Sequence, residues 1–405
     1  MTQCHRLHVI LAGMAVLFVS TASAAQGPPE PAADSIRRAV QERLFDRPFI
    51  GSIGRTAIGG YVEGNSAYLV EDGVGEGLSL QLRRFNIFLF STIGSRIRFI
   101  SELEFENGTE EIALETALID VQVNPSFVVR AGIILPPIGA FNVNHDSPRW
   151  NFVDRPLVST TIIPATLSEV GFGVHGRLVP RGFGLTYDLY ATNGLGDGVI
   201  LNSEGRTSLA DGKSEERFAE DNNGSLAFSG RLAAQRQGLG ELGLSWYTGI
   251  YNSYKAEGEV VDEARRLTIG ALDANASVGP VELRGEFAIA SVRLPDDLRD
   301  VLGSRQLGWH LDASVPVWRP RLRGFPGAVL SADLRLEYVD HNRGEFSSTG
   351  ATIGHDVSAA VFGASFRPAS GTVFKLNYRR QRAHDLLNNA ASRLGAVHLG
   401  FATYF

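Results

Sequence analysis

From about Ala57 to Phe405, apolar and polar residues alternate with a period of two, which is the repeat of a β-strand. In 97–105, Ile97, Phe99, Ser101, Leu103 and Phe105 share one face, and Arg98, Ile100, Glu102 and Glu104 share the other. Leu242, Leu244, Trp246, Thr248 and Ile250 oppose Glu241, Gly243, Ser245, Tyr247 and Gly249. Leu307, Trp309, Leu311, Ala313 and Val315 oppose Gly308, His310, Asp312 and Ser314. Sixteen such runs begin near residues 57, 78, 96, 111, 127, 168, 183, 225, 240, 266, 281, 306, 327, 353, 371 and 393. Most reach nine residues or more. That exceeds the ~5–6 of a globular strand and suits the roughly 9–11 that a tilted strand needs to cross a bilayer.

A soluble sandwich alternates in the same way, so the connections must separate the two architectures. They are expected to alternate strictly in kind. Tight turns such as Ile93-Gly94-Ser95, Asn124-Pro125-Ser126, Pro180-Arg181-Gly182 and Val278-Gly279-Pro280 lie on one side. Longer polar loops, 136–167, 193–224, 252–265, 294–305, 341–352 and 383–392, lie on the other. Short turns at one rim and long loops at the other mark an outer-membrane barrel. The expected fold is therefore all-β: a transmembrane antiparallel β-barrel of sixteen strands at 56–405, with both ends of the chain periplasmic. Val397, Leu399, Phe401, Thr403 and Phe405 form the outward face of its last strand. A terminal aromatic there resembles the strand by which the barrel-assembly machinery recognises such proteins.

The N-terminus carries Arg6 and no acid, then an apolar run from Val9 to Val19 and the small-x-small site Ala22-Ser23-Ala24. This reads as a signal peptide over 1–24, with the bacterial outer membrane, its lipid and its lipopolysaccharide as destination. Segment 25–55 is expected in the periplasm, with a short amphipathic helix at Asp34–Phe45. Cleavage after Ala24 would remove Cys4, Met1 and Met14, leaving no sulfur for a disulfide or a thiolate metal site. It would also remove one Arg, taking the net charge from −6 to −7. A chain of 405 residues with that charge has no overall attraction for nucleic acid. A mean hydropathy of −0.01 excludes a polytopic helical membrane protein and leaves a barrel open.

Sixteen strands enclose a lumen too wide for wall side chains alone to fill, so water is expected inside. The expected inward cations are Arg83, Arg96, Arg98, Arg130, Arg177, Arg231, Arg284, Arg335 and Arg379, with Arg83-Arg84 breaking phase at a bulge. Inward acids include Glu102, Glu104, Glu115, Glu286, Asp312, Asp333 and Glu337. Opposite signs on facing walls would set up a transverse field across the pore, whereas neighbouring opposite charges would merely neutralise one another. The third outward connection, 135–167, is rich in Ile, Val, Phe and Trp, so it must bury itself, and the lumen is the place available. Its polar members, with the residue that follows, are Asn142, Asn144, His145, Asp146, Arg149, Asp154, Arg155 and Glu169. They either line a constriction or pin the loop to the wall through Asp146/Arg149 and Asp154/Arg155 ion pairs.

Residues 80–90 (LQLRRFNIFLF) and 128–176 resemble the phosphate-selective porin O/P family of Gram-negative outer membranes. The matching features are Leu82-Arg83-Arg84, Gly132 with Pro137 and Gly139, and Arg155-Pro156. The resemblance implies a sixteen-stranded, usually trimeric, anion-passing porin. Phosphate is not carried over with it, because this chain has only Lys213, Lys255 and Lys375 and a net negative charge. No hydrolase, zinc-protease or nucleotide-binding motif occurs, and neither a cofactor nor a metal is expected. The acidic loop 211–221 lacks EF-hand spacing. The reading is a passive diffusion porin. The alternatives are a barrel enzyme, built around His145 and Asp146 with a serine, and a structural barrel plugged by 135–167.

Overall fold

The computed structural model describes residues 49–405 except 54, 181, 214–217, 220, 222 and 347. The expected leader, the helix at Asp34–Phe45 and part of the acidic loop 211–221 lie outside the described residues. Sixteen antiparallel strands close into a barrel. They are β1 (Thr56–Glu71), β2 (Val74–Ile93), β3 (Ile97–Glu106), β4 (Glu111–Asn124), β5 (Phe127–Ile134), β6 (Glu169–Leu178), β7 (Gly184–Thr192) and β8 (Ala227–Arg236), followed by β9 (Gly240–Ile250), β10 (Arg266–Val278), β11 (Val281–Val292), β12 (Arg305–Trp318), β13 (Val329–Asp340), β14 (Asp356–Ala369), β15 (Thr372–Ala383) and β16 (Ser392–Tyr404). Each pairs with its neighbours in sequence, and β16 closes on β1 from Leu394↔Glu71 to Tyr404↔Tyr61. A short strand, Phe49–Ile53, pairs with the start of β1.

Closure follows from the faces. Leu244, Phe172 and Leu399 are 61%, 57% and 55% exposed, on an outer surface that faces lipid. No backbone group there could find water, so every strand edge must be paired. The terminal Phe405 exchanges both backbone hydrogen bonds with Gly60 and stacks on Phe85 at 5.4 Å. This locks the seam between first and last strands.

Two bulges re-aim side chains. The register passes from Glu63↔Arg84 to Gly64↔Leu82, so Arg83 is the extra residue, as its broken phase predicts. On β4, Glu115 is extra between Thr116↔Glu102 and Leu114↔Leu103.

Strict alternation of turns fails at three places. The β1–β2 and β3–β4 connections belong to the long-loop rim, yet are tight turns at 72–73 and 107–110. On the opposite rim, the β12–β13 connection runs over 319–328. The notched rim leaves residues 74–82 of β2 standing above the β3–β4 turn, since pairing with β3 begins only at Arg84↔Glu106.

The largest apolar core lies inside the barrel. Ile138, Val158, Ile162, Ile163 and Leu167 of loop 135–168 pack with Leu195, Val199 and Leu209 of loop 193–226. Beneath them lie inward residues of the wall, including Tyr247, Leu267, Ile269, Ala288, Ala290 and Val339. Burying each large aliphatic stabilises by roughly 1.5–3 kcal/mol, an upper bound because the unfolded chain is itself partly collapsed.

The outer loops also zip together. His341 donates its backbone N–H to His355 O, and Asn342 Nδ2 reaches Val301 O. A Cβ on Gly303 would meet His341 O at 2.0 Å, so Gly303→Ala is expected to force these loops apart. Hydrogen exchange should show lost protection at 341–355 with barrel protection unchanged. Burial, reinforced by Arg206 and His355, pushes the His341 imidazole down to about 3. Its folded value is below the unfolded one, so its contribution is complete above about pH 6.5 and is lost as the pH falls towards 3. Protection factors in 341–355, with exchange corrected for its intrinsic pH dependence, should therefore fall by up to about tenfold per pH unit below 6.5. A flat profile there would remove His341 from the account.

Candidate functional site

The site is the lumen and the loop that crosses it. Gly139 and Asn142 set the loop's entry. Gly139 takes a left-handed φ of 65°, and a Cβ there would meet Glu286 Oε1 at 2.4 Å. Asn142 Nδ2 donates to Pro136 O and Leu167 O, and its Oδ1 accepts from Leu167 N–H at 2.8 Å. One amide thus ties the two ends of the loop.

Beyond Asn142 the loop bonds to the wall on several sides. On the apolar side, Glu286 of β11 accepts from Phe141 N–H at 2.7 Å and from Ser159 Oγ at 2.5 Å. Here the short helix α1 (Leu157–Thr161) buries Val158 and Ser159. On the opposite side most anchors are polar, although Val153 also packs over Gly400. Lys375 Nζ donates to Ser147 O and Phe152 O, both at 3.0 Å. Asn377 Oδ1 accepts from Val153 N–H at 2.7 Å. Asn151 Nδ2 reaches Ser314 and Asp333, Arg367 Nη1 reaches Pro148 O, and Glu337 accepts from Leu157 N–H. Arg335 Nη1 donates to Asp154 O at 2.8 Å and lies 4.2 Å over the Phe152 ring.

The loop residues singled out in the sequence divide by role. Asn144 caps a local turn, bonding Ala140 O and accepting from Arg149. His145 sits fully buried against Glu115 at 3.0 Å. Burial opposes its protonation, but the adjacent Glu115 carboxylate outweighs this and holds the imidazole above its ordinary value. Asp146 and Arg149 pair at 3.7 Å, and both also bond Tyr404 OH. The expected Asp154/Arg155 pair does not form. Asp154 instead meets Arg83 at 3.3 Å and His398 at 2.9 Å, which hold its carboxyl well below the usual range despite burial. Arg155 Nη1 donates to Thr166 Oγ1. Glu169 opens β6 and accepts from Thr192 and Tyr247.

Of the cations singled out in the sequence, Arg96 lies exposed in the β2–β3 turn, because the strand begins one residue later; the others lie on the inner face of the wall. Arg83, the bulged residue, reaches the loop. Most of the others serve neighbouring acids. Arg130 holds Asp120 bidentately at 2.7 and 2.8 Å, and Arg231 holds Asp273 and Glu241. Arg335 holds Asp312, Arg379 holds Glu337 at 2.8 Å, and Arg84 holds Glu63, Glu104 and Glu106. Arg98 bonds Gln122. Arg177 faces inward near the short-turn rim. These pairs are local, so most opposite charges on the wall neutralise one another where they arise.

The interior is not uniformly open. All sixteen strands present an inward side chain no more than 7% exposed. Around the ring these are Glu63, Asn86, Glu102, Glu115, Arg130, Glu169, Tyr190, Ser229, Ser245, Ala271, Glu286, His310, Arg335, Val361, Asn377 and His398. Loops 135–168 and 193–226 occupy part of the interior. More open inward positions sit near the short-turn rim, where the Arg284 and Glu282 side chains are 42% and 58% exposed.

Several anchors were not singled out as loop contacts in the sequence: Lys375, Asn377, Arg367 and Ser245. One signal was readable. In β10 and β11 the inward face turns apolar (Leu267, Ile269, Ala288, Ala290, Val292), which in a water-filled lumen would go uncovered.

No family model matches this sequence. Among solved structures, the outer-membrane channel DcaP of Acinetobacter baumannii superposes with a TM-score of 0.56 at 10% identity, over 88% of this chain and 99% of that one. The anion-selective porin of Comamonas acidovorans gives 0.52 at 14%, over 86% and 99%. OmpF of Salmonella typhi gives 0.54 at 11%, over 88% and 100%. These likenesses establish the fold, a porin-type barrel of the outer membrane. In sequence, an uncharacterised protein of Aquifex aeolicus is 31% identical over 353 residues, spanning 82% of this chain and 77% of that protein. On that identity, the chain belongs to one family with the Aquifex aeolicus protein, and its fold is that of an outer-membrane porin.

Proposed function

We propose that the protein is a porin for small hydrophilic solutes or anions whose passage is closed, in the conformation described, by its own third outward loop. The carrying observation is the asymmetry of that loop. Ile138, Val158, Ile162 and Ile163 bind one side to an extended apolar core, whereas 144–155 meets the wall mainly through polar groups, with Phe152 and Val153 its buried apolar members. Water can replace a polar contact worth ~1 kcal/mol net, but it cannot replace apolar burial. The polar side is therefore the side that yields, and the passage runs between 144–155 and the wall of β12–β16 and β1–β3. Its groups include Arg83, Arg335, Arg379, Lys375, Asp154, Asp333 and Glu337, a mixed set that suits hydrophilic solutes generally. Phosphate would need cations free of carboxylates, and Arg130, Arg231, Arg335 and Arg379 each hold one.

We read no catalysis here. The candidate triad on His145 lacks its parts: Nδ1 is 3.0 Å from Asn142 O and Nε2 is bonded to Glu115, not to Asp146 or a serine. A homotrimer is part of the proposal. It is supported by the family resemblance and by the low rim at β3–β4, beside which Leu78 and Leu80 of β2 are 70% and 79% exposed. So is assembly through the C-terminal strand ending at Phe405. The second reading, a permanently plugged structural barrel, is favoured by the sealed inner wall. Planar-bilayer currents in chloride, with phosphate titrated in, separate these readings. Current that phosphate leaves unchanged supports a general porin, and block by low phosphate supports the phosphate-selective one. Silence that persists after residues 143–155 are replaced supports the plug.

A further inference from the structure

Glu102 on β3, Glu115 on the β4 bulge and His145 in the loop each offer a ligand atom within 4.8 Å of the others, and all three are buried. We propose that they form a binding site for a divalent transition-metal ion of the zinc class, which clamps the third loop to the wall.

The donor set is one imidazole nitrogen and two carboxylates, the chemistry that Zn²⁺ and its neighbours accept. The orientation of His145 carries the argument further. Asn142 O can only accept, so the ring proton belongs on Nδ1, which lies 3.0 Å from it. A metal-binding histidine is held in just this manner by a backbone carbonyl. Nε2 then points its lone pair at Glu115 Oε2, 3.0 Å away. Two acceptors at that distance need a cation between them, either a proton or a metal.

The surroundings leave this end of the cluster short of positive charge. Glu63, Glu102, Glu104 and Glu115 are all at most 4% exposed. Arg84 is spent on Glu63, Glu104 and Glu106, with Lys375 acting on Glu63 from further off. Arg155 is the other cation acting on Glu115. Buried carboxylates in that company are costly unless something neutralises them. A second observation marks the place. The fully buried amide of Asn86 donates to Glu102 at 2.8 Å and to Glu104 at 2.9 Å, while its Oδ1 has no hydrogen-bond partner. That leaves an unpartnered neutral oxygen on a residue bonded directly to Glu102. No spacing motif announces such a site, because its ligands come from two strands and a loop.

The test uses the full mature barrel, folded in detergent and freed of metal by chelation. Zn²⁺ is added, with Mg²⁺ as a control for loose carboxylate binding and Co²⁺ as an optical probe. The expected result is one tightly held Zn²⁺ per chain, a Co²⁺ spectrum of low coordination number, and a raised melting temperature with Zn²⁺ but not with Mg²⁺. His145→Gln should weaken Zn²⁺ binding by at least about tenfold, by loss of a ligand. Should that variant fail to fold, Glu102→Gln serves, since it keeps the Asn86 hydrogen bond. If the wild type binds no more Zn²⁺ than the variant, or gives only an octahedral Co²⁺ spectrum, a proton closes the cluster and the proposal fails. Binding is read without any current, so its failure is distinct from failure of the porin reading.

Discussion

Replacing residues 143–155 by a short Gly-Ser bridge should open the barrel. The deleted stretch holds the polar contacts to β12–β16 and leaves Ile138, Val158, Ile162 and Ile163 in their core. The scaffold should therefore survive the deletion. What remains is a sixteen-stranded lumen half filled from one side, and barrels of that strand number hold an aqueous channel when nothing blocks them. Single-channel conductance is expected to rise by at least about tenfold over the unmodified chain. The wall exposed by the deletion carries Arg335, Asp333, Glu337, Asn377 and Lys375, so the opened channel should pass both ion signs with little preference. A folded, inserted deletion that conducts no better than the parent would place the barrier elsewhere, with loop 193–226 the first suspect.

The second large effect is on stability. Arg335 is among the largest fully buried side chains in the protein, and Asp312 holds it bidentately, with both contacts at 2.7 Å. Asp312→Ala leaves a buried guanidinium without its carboxylate, which typically costs 3–5 kcal/mol, so roughly that loss is expected. Arg335 also fixes the loop through Asp154 O and Phe152, so the same variant should loosen 150–155 before the barrel unfolds. Unfolding in urea, followed by heat-modifiable gel mobility, measures the first effect; proteolysis within 143–155 measures the second. The double variant Asp312→Leu with Arg335→Met should recover most of the barrel stability, because a well-packed apolar pair can replace a buried ion pair. It should not recover the loop, since methionine offers neither the donor to Asp154 O nor the cation over Phe152. If Asp312→Ala unfolds no earlier than the parent, Arg335 is compensated by water, and the sealed interior is disproved locally.

How much of this was legible follows from which signals are local. Period-two alternation is a property of each strand, so the sixteen strands and their inward parity could be read directly, down to the bulge at Arg83. The apolar content of 135–167 required burial, and the barrel offered only its inside. The partners inside could not be read, because they join residues far apart in sequence: Lys375 to Ser147, Asn377 to Val153, Asp154 to His398 rather than to its neighbour Arg155. The expectation of a wet lumen counted strands and not loops, and it passed over the inward apolar ends of β10 and β11, which call for a second loop to cover them. Leu195, Val199 and Leu209 provide that cover.

The central claim is that the barrel is a channel closed by a loop whose one yielding side is polar. The most direct measurement is the single-channel current of the unmodified mature chain, inserted in a planar bilayer in chloride and compared with the 143–155 replacement under the same conditions. The account predicts a parent that is quiet or passes small, intermittent steps, and a replacement that opens to wide, steady, ohmic current. Wide steady current from the parent, or silence from a well-folded replacement, would contradict it.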